Sequence, residues 1–335
     1  MTPPAADATL DVVAVGNALV DVLSPASDDF VVDQGLYKGA TAIIDAERSA
    51  ALYEQMGPGT EASGGSAANT AVGIASLGGR SAFVGRVRDD VLGQVFAHDI
   101  QAAGVRFDTS PATAGPPTGR CLILVTPDGE RTMNTYLGAA SELHPDDVSP
   151  AVVGSAAVTY LEGYLFDQPD AKAAFRHAAT AAHDAGRRVA LSLSDPFCVE
   201  RHRVDFLALV EHGVDVLFAN EAEACLLFEV PTLEDAVDAA ARFCELAAVT
   251  QGAKGSVVVG PEGRAEIPVH PVAGGVVDTT GAGDLYAAGF LHALTHGYGL
   301  EVCGRVGALA ASEVIAHFGG RPEHSLAELA APLLR

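Results

Sequence analysis

The chain of 335 residues has no tryptophan, and aromatic residues make up only 6% of it. It is also poor in positive charge: 20 Lys and Arg face 43 Asp and Glu, for a formal net charge of −23. Nucleic acid and anionic membrane are therefore excluded as partners, since both need dense positive charge on the protein. The five cysteines (121, 198, 225, 244 and 303) form no C-x-x-C pair. That excludes a disulfide framework or a zinc knuckle and suits a reducing, cytoplasmic setting. Met1 to Thr9 lack a basic segment followed by an apolar core, so no secretory signal is expected. No uninterrupted apolar run is long enough to cross a bilayer. Several catalytic signatures are missing as well. There is no G-x-x-x-x-G-K-[ST], no G-x-G-x-x-G after the first apolar run, no G-x-S-x-G and no H-E-x-x-H, which argues against P-loop, dinucleotide-binding, nucleophile-elbow and zincin chemistry. His292 and His296 stand four residues apart, but no third ligand lies nearby, and they read as ordinary helix-face histidines.

What the chain does have is 49% hydrophobic residues and 36 glycines. Leu10–Asn17 reads as a buried strand. From about residue 150 strands and helices alternate, with strands at 157–161, 188–193, 214–218, 245–249 and 256–259. Helices are expected over 168–186, 201–212, 221–228, 233–245, 283–296 and 301–317. Such alternation predicts an α/β fold with a doubly wound, mostly parallel sheet. Residues 22–45 do not look like a crossover helix. Pro127-Asp-Gly129, between two short apolar runs, is a hairpin signal. These irregular strands predict a small β-sheet lid, inserted within about 18–62 and 115–140 of a single domain spanning 1–335.

Candidate site residues cluster at strand ends, where α/β sheets bind ligands. In Asp278-Thr-Thr-Gly-Ala-Gly-Asp284, Gly281, Ala282 and Gly283 open a helix whose Ala287, Phe290, Leu291 and Leu294 form an apolar stripe. Their backbone N–H groups suit an anion. Asp284, beside that place, suits a base that takes a proton from an attacking hydroxyl, although a capped helix with a first-turn acid explains the same letters. Asn17 and Asp21 fall past the first strand and can reach one pocket. Gly64 and Gly65 open a small-residue helix on which Asn69 is the polar handle. Asn220 and Glu223 stand at a strand-to-helix turn and suit either a helix cap or a hydrated Mg²⁺. Thr250, Gly252 and Gly255 lie in a glycine-rich turn, open to a flat or phosphorylated ligand or simply to a tight turn.

Taken in order, Gly64-Gly-Ser-Ala-Ala-Asn69, Asn220-Glu-Ala-Glu223 and Asp278-Thr-Thr-Gly-Ala-Gly-Asp284 resemble the ribokinase-like (PfkB) carbohydrate and nucleoside kinases over essentially the whole chain. Gly16-Asn-Ala-Leu-Val-Asp21, Pro117-Thr-Gly119, Tyr160-Leu-Glu-Gly-Tyr164 and Leu191-Ser-Leu-Ser-Asp-Pro-Phe197 are similar to the adenosine kinase branch. The resemblance implies Asp284 as the base and Gly281 to Gly283 as the anion hole. It implies Asn17, Asp21, Gly64, Gly65 and Asn69 as the sugar site, with Arg131 neutralising phosphate. It places Asn220, Glu223, Thr250, Gly252 and Gly255 on the ATP side, Glu223 meeting Mg²⁺ through water, and a monovalent cation, K⁺, at Asp278 and Thr280. Tyr164, Leu165, Phe166, Leu36 and Thr41 are candidates for the base pocket. The expected activity is transfer of the ATP γ-phosphoryl group to the 5′-hydroxyl of a nucleoside, adenosine first. The alternatives are a sugar kinase acting on ribose, fructose or a 2-keto-3-deoxy sugar acid, and a non-catalytic nucleotide or sugar sensor. The expected partner is a small molecule, with the chain a monomer or a homodimer.

Overall fold

A computed structural model describes residues 8–335; the first seven residues, on which the leader reading partly rests, lie outside the described residues. Among the described residues fourteen strands form two sheets. The strands of the large sheet are β1 (Leu10–Val15), β5 (Ser81–Val84), β6 (Arg106–Phe107), β9 (Ala156–Glu162), β10 (Arg188–Ser192), β11 (Val216–Asn220), β12 (Leu246–Thr250), β13 (Ser256–Gly260) and β14 (Gly263–Ile267). Their order across the sheet is β14-β13-β12-β11-β10-β9-β1-β5-β6. The seven from β12 to β6 run parallel, while β13 and β14 form an antiparallel edge hairpin. The hairpin breaks the all-parallel rhythm because Gly260 and Gly263 pair across a turn too short for a crossover.

Alternation along β1 explains the two layers. Val12 and Ala14 enter one apolar core, with the helices Ser66–Ser76, Ala282–Thr295 and Leu300–Val314; Val13 and Val15 enter the other, with Pro169–Asp184, Pro196–Gly213, Glu221–Phe228 and Leu233–Phe243. Period-two side chains on a buried strand feed both faces, so each face needs its own helices. The helix Pro196–Gly213 begins earlier than the expected 201, because Asp195 caps it and Pro196 fits the first turn; it kinks at His202. The helix Ala282–Thr295 is buried all round from Leu285 to Leu294, not along one stripe. A side chain at Gly73 would lie 2.6 Å from Ala288 Cβ, and one at Gly289 would lie 2.5 Å from the Val306 carbonyl oxygen, so glycines let its neighbours close in on both sides.

The second sheet has the order β3-β8-β7-β2-β4. Its strands are β2 (Leu19–Pro25), β3 (Thr41–Ile43), β4 (Thr60–Gly64), β7 (Thr118–Val125) and β8 (Arg131–Gly138). Two helices, Asp28–Asp33 and Ala46–Gln55, come from the stretch between β2 and β4. The first was not expected within 22–45; Ser27 nucleates it by accepting the Phe30 N–H at 3.1 Å. Val31 and Leu52 of these helices pack with Val22, Leu122 and Leu124 in one cluster. They therefore cover the sheet face opposite to that of Asp21.

Candidate active site

The carboxyl ends of β1 and β9 meet the N-termini of the helices Ser66–Ser76 and Ala282–Thr295, and the polar groups gather there. Gly281 adopts φ +77°, and a Cβ on it would lie 2.6 Å from Gly320 Cα, so only glycine fits. Above Gly283 nothing would meet a Cβ within 4 Å. Gly283 thus borders open space, while the Ala282 N–H donates to the Thr279 carbonyl oxygen at 3.2 Å. Asp284, half-buried in the same turn, accepts from Ser66 Oγ at 2.6 Å and from Asn69 Nδ2 at 3.0 Å. Burial pushes its carboxyl above the ordinary range, while the Ser66 and Asn69 hydrogen bonds pull it back. A carboxylate so held is poised to take a proton.

Asn17 sits just past β1, against a residue to which the motif reading assigned no role. Glu162, at the end of β9, accepts from Asn17 Nδ2 at 2.6 Å and from the Ala67 backbone N–H at 2.7 Å. Gly16 has no room for a side chain because Glu162 Oε2 and Ala67 Cβ would each lie 2.4 Å from it. Asp21 is not in the loop after β1 but on β2 of the second sheet, in register with Ala62 and Cys121. A Cβ on Gly64 would lie 2.3 Å from Asp21 Cγ, and one on Gly65, at φ +100°, 2.2 Å from the Asn17 carbonyl oxygen. The two glycines therefore let the helix entry press against both acceptor-side residues. Burial raises the Asp21 carboxyl to about 6, with Arg321 and Arg131 opposing and Asp284 adding to the rise.

Arg321 is the second residue the motifs did not reveal. It donates to Asp99 Oδ2 at 3.0 Å, Ser63 Oγ at 2.7 Å and Asn69 Oδ1 at 3.5 Å. The Gly319-Gly320 pair before it was the available signal, since a glycine pair marks close backbone approach: a Cβ on Gly320 would lie 2.7 Å from Asn69 Nδ2. Ser66, inside the quoted glycine motif, was also passed over as a ligand of Asp284. Arg131, 6% exposed, pairs with Asp278 Oδ2 at 3.1 Å and lies over the Phe318 ring, leaving Nε and Nη2 without partners. Asp278 also accepts from the Thr280 N–H and hydroxyl and from the Gly319 N–H. Its two oxygens thus strap loops together through Thr280, Gly319 and Arg131. Among the base-pocket candidates, Leu165 and Phe166 belong to the core, whereas Tyr164 is 39% exposed and donates to the Ser194 carbonyl at 3.1 Å.

The remaining candidates lie along the same end of the sheet, three (β11) and four (β12) strand spacings from β1, or about 14 and 19 Å. Asn220 and Thr250 are register partners at the ends of β11 and β12. Asn220 Oδ1 accepts the Glu223 N–H at 2.9 Å and Glu223 Oε2 accepts the Asn220 N–H at 2.9 Å, a reciprocal capping box. Burial raises Glu223 to about 7. Gly252 and Gly255 have φ of +57° and +98°. Among the described residues no three His, Cys, Asp or Glu side chains group to hold a metal ion. Both Glu223 oxygens are turned to Asn220.

Comparison with known proteins matches residues 41–325 to the model of the pfkB family carbohydrate kinases. The adenosine kinase of Saccharomyces cerevisiae is 29% identical over 316 residues, covering 88% of this chain and 91% of its own. Among solved structures, the adenosine kinase from Sinorhizobium meliloti is 52% identical with a TM-score of 0.89, covering 97% of this chain and 99% of its own. A probable sugar kinase from Rhizobium etli is 50% identical with the same TM-score and the same coverage.

Proposed function

The chain belongs to the pfkB family of carbohydrate kinases and is a phosphotransferase with an alcohol group as acceptor, and from that premise we propose that it transfers the γ-phosphoryl group of ATP to the 5′-hydroxyl of a nucleoside, adenosine first. The observation that carries the nucleoside reading is the cleft face of the second sheet. Directly paired residues share a face, so Asp21, Cys121, Thr135 and Ile43 form one row and Leu23, Ile123, Met133 and Thr41 the next. The first row runs from the polar Asp21 to Ile43, which is 67% exposed, and the second from Leu23 to Thr41. A polar end beside an apolar floor suits a ribose joined to a flat base; a free sugar would leave the floor uncovered. The names of the S. cerevisiae and S. meliloti relatives support the same reading.

In this reading Asn17, Asp21, Gly64, Gly65 and Asn69 hold the sugar. Asp284 takes the hydroxyl proton as the new O–P bond forms and the bond to the ADP oxygen breaks. The N–H groups of Gly281, Ala282 and Gly283 meet the charge on the moving group, and the free N–H groups of Arg131 face phosphate. Thr250, Gly252, Gly255, Asn220 and Glu223 line the ATP side. Mg²⁺, brought by the phosphates, neutralises charge on them.

The sugar reading has one observation in its favour: Arg321 lies beside Asp21 and Asn69, where a sugar acid would need a cation. Its donors are already given to Asp99, Ser63 and Asn69. A panel of nucleosides and sugars with ATP and Mg²⁺, with and without K⁺, tests the choice. Adenosine is expected to exceed ribose, fructose and 2-keto-3-deoxy acids in kcat/KM by at least ten-fold. A sugar in first place overturns the nucleoside reading, and no turnover with any acceptor overturns the kinase reading in favour of a sensor.

A further inference from the structure

Glu162 is 1% exposed and lies among three elements at once. It ends β9. Its Oε1 accepts two donors from Asn17, the backbone N–H at 3.3 Å and Nδ2 at 2.6 Å. Its Oε2 accepts the Ala67 N–H, in the first turn of the helix that also carries Ser66 and Asn69. Among the described residues no Lys, Arg or His pairs with it. A fully buried carboxylate without a cation is costly, and here it is sustained by three converging donors alone. Because Nδ2 of Asn17 is tied to Glu162, Asn17 Oδ1 is the end left over, and that oxygen is buried with no partner.

We propose that Glu162 is a positioning residue for the acceptor site: it fixes the Asn17 amide with its oxygen free as an acceptor for a substrate hydroxyl. It also pins the first turn that presents Ser66 and Asn69 to Asp284. The role in acceptor binding rests on the kinase reading above; the anchoring itself does not.

The donor pattern predicts what a neutral isostere does. Glutamine offers one acceptor and one NH₂ group to three converging donors. If its oxygen faces Asn17, its NH₂ meets the Ala67 N–H. If its oxygen faces Ala67, the Asn17 amide must turn, and an NH₂ group then faces the substrate hydroxyl. Either way the site loses a bond that the carboxylate made. Burial raises Glu162 to about 7, the Asn17 and Ala67 hydrogen bonds opposing, with the Asp284 charge adding to the rise. The other titratable groups around it are Tyr160 on its own strand and Tyr164 in the following turn.

The test is Glu162→Gln in the full chain, read by hydrogen exchange at single amides and by steady-state kinetics. Exchange at Asn17 and Ala67 is expected to accelerate at least ten-fold, with no change in the helix Pro169–Asp184. The acceptor KM is expected to rise at least ten-fold while the ATP KM stays within two-fold. Unchanged exchange at Asn17 and Ala67, or equal shifts in both KM values, overturns the proposal. If the wild-type protein phosphorylates no acceptor, the kinase reading falls, and exchange still decides whether Glu162 anchors the two amides. Glu162→Ala, checked for native circular dichroism, is expected to accelerate the same two amides.

Discussion

The acceptor half and the nucleotide half of the cleft are built by different means. On the acceptor side, Asp284 is held by Ser66 and Asn69, more than 200 residues away in sequence, and Asn17 is held by Glu162, 145 residues away. On the nucleotide side, Asn220 and Glu223 satisfy each other three residues apart, and the turn around Gly252 closes through bonds among Gln251, Gly252, Lys254 and Gly255. One half is cross-linked by tertiary structure; the other is a pair of self-contained local motifs. Groups that share partners behave as a unit, whereas separate motifs add. Disturbance should therefore spread across the acceptor half and stay confined in the nucleotide half.

The largest expected effect is at the reacting atoms. Asp284→Asn should lower kcat by about 10²–10⁴, the range for a general base, with both KM values close to those of the wild type. Steady-state kinetics checks it, and unchanged turnover removes Asp284 from the chemistry and with it the functional contrast between the halves.

A matched pair of glycine substitutions sharpens the contrast in stability. Gly281 and Gly252 both have positive φ, but a Cβ on Gly281 would lie 2.6 Å from Gly320 Cα, while one on Gly252 meets nothing within 4 Å. Gly252→Ala should cost only the left-handed strain, about 1–2 kcal/mol. Gly281→Ala should cost more, because the backbone of Gly320 cannot yield without moving Asn69, and it should lower turnover as well. Urea unfolding together with activity separates the two; equal losses would break the comparison.

The smallest effect is in pH dependence, where each half carries one buried glutamate raised from 4.5 to about 7, Glu162 and Glu223. A carboxyl whose folded-state pKa is raised takes up protons on folding. Its contribution to stability is present below pH 4.5 and is lost as pH rises to about 7. Glu162→Gln and Glu223→Gln should each flatten that fall in urea titrations across the interval. Only Glu162→Gln should also alter the pH dependence of the acceptor KM. A change from Glu223→Gln instead would show that the halves communicate.

The same contrast explains what could be read from the chain before any fold was known. The alternating apolar segments and the Pro127-Asp-Gly129 turn carry their structure in adjacent residues, and the large sheet and the β7–β8 hairpin follow from them. The short helix Asp28–Asp33 was missed because its six residues offer too few turns to display a period. The apolar stripe on Ala282–Thr295 understated its burial, since periodicity does not register a second helix packed on the far side through Gly289 and Val306. Asn220 and Glu223 were legible as a cap because a capping box is a four-residue pattern. Glu162 and Arg321 could not be placed, since a lone acid after a strand and a lone base after a glycine pair have no local signature.

By itself, then, the sequence determined the alternation of elements, the glycines that open the two helices at 64–65 and 281–283, and the acid in the first turn after Gly283. Those properties depend on backbone sterics and short-range periodicity. Tertiary structure alone decided that Asp278 straps loops together through Thr280, Gly319 and Arg131. It likewise decided that Asp21 belongs to the second sheet and that Glu162 orients Asn17. Burial and hydrogen-bond partners drawn from distant segments exist only once the two sheets and their helices have closed around them.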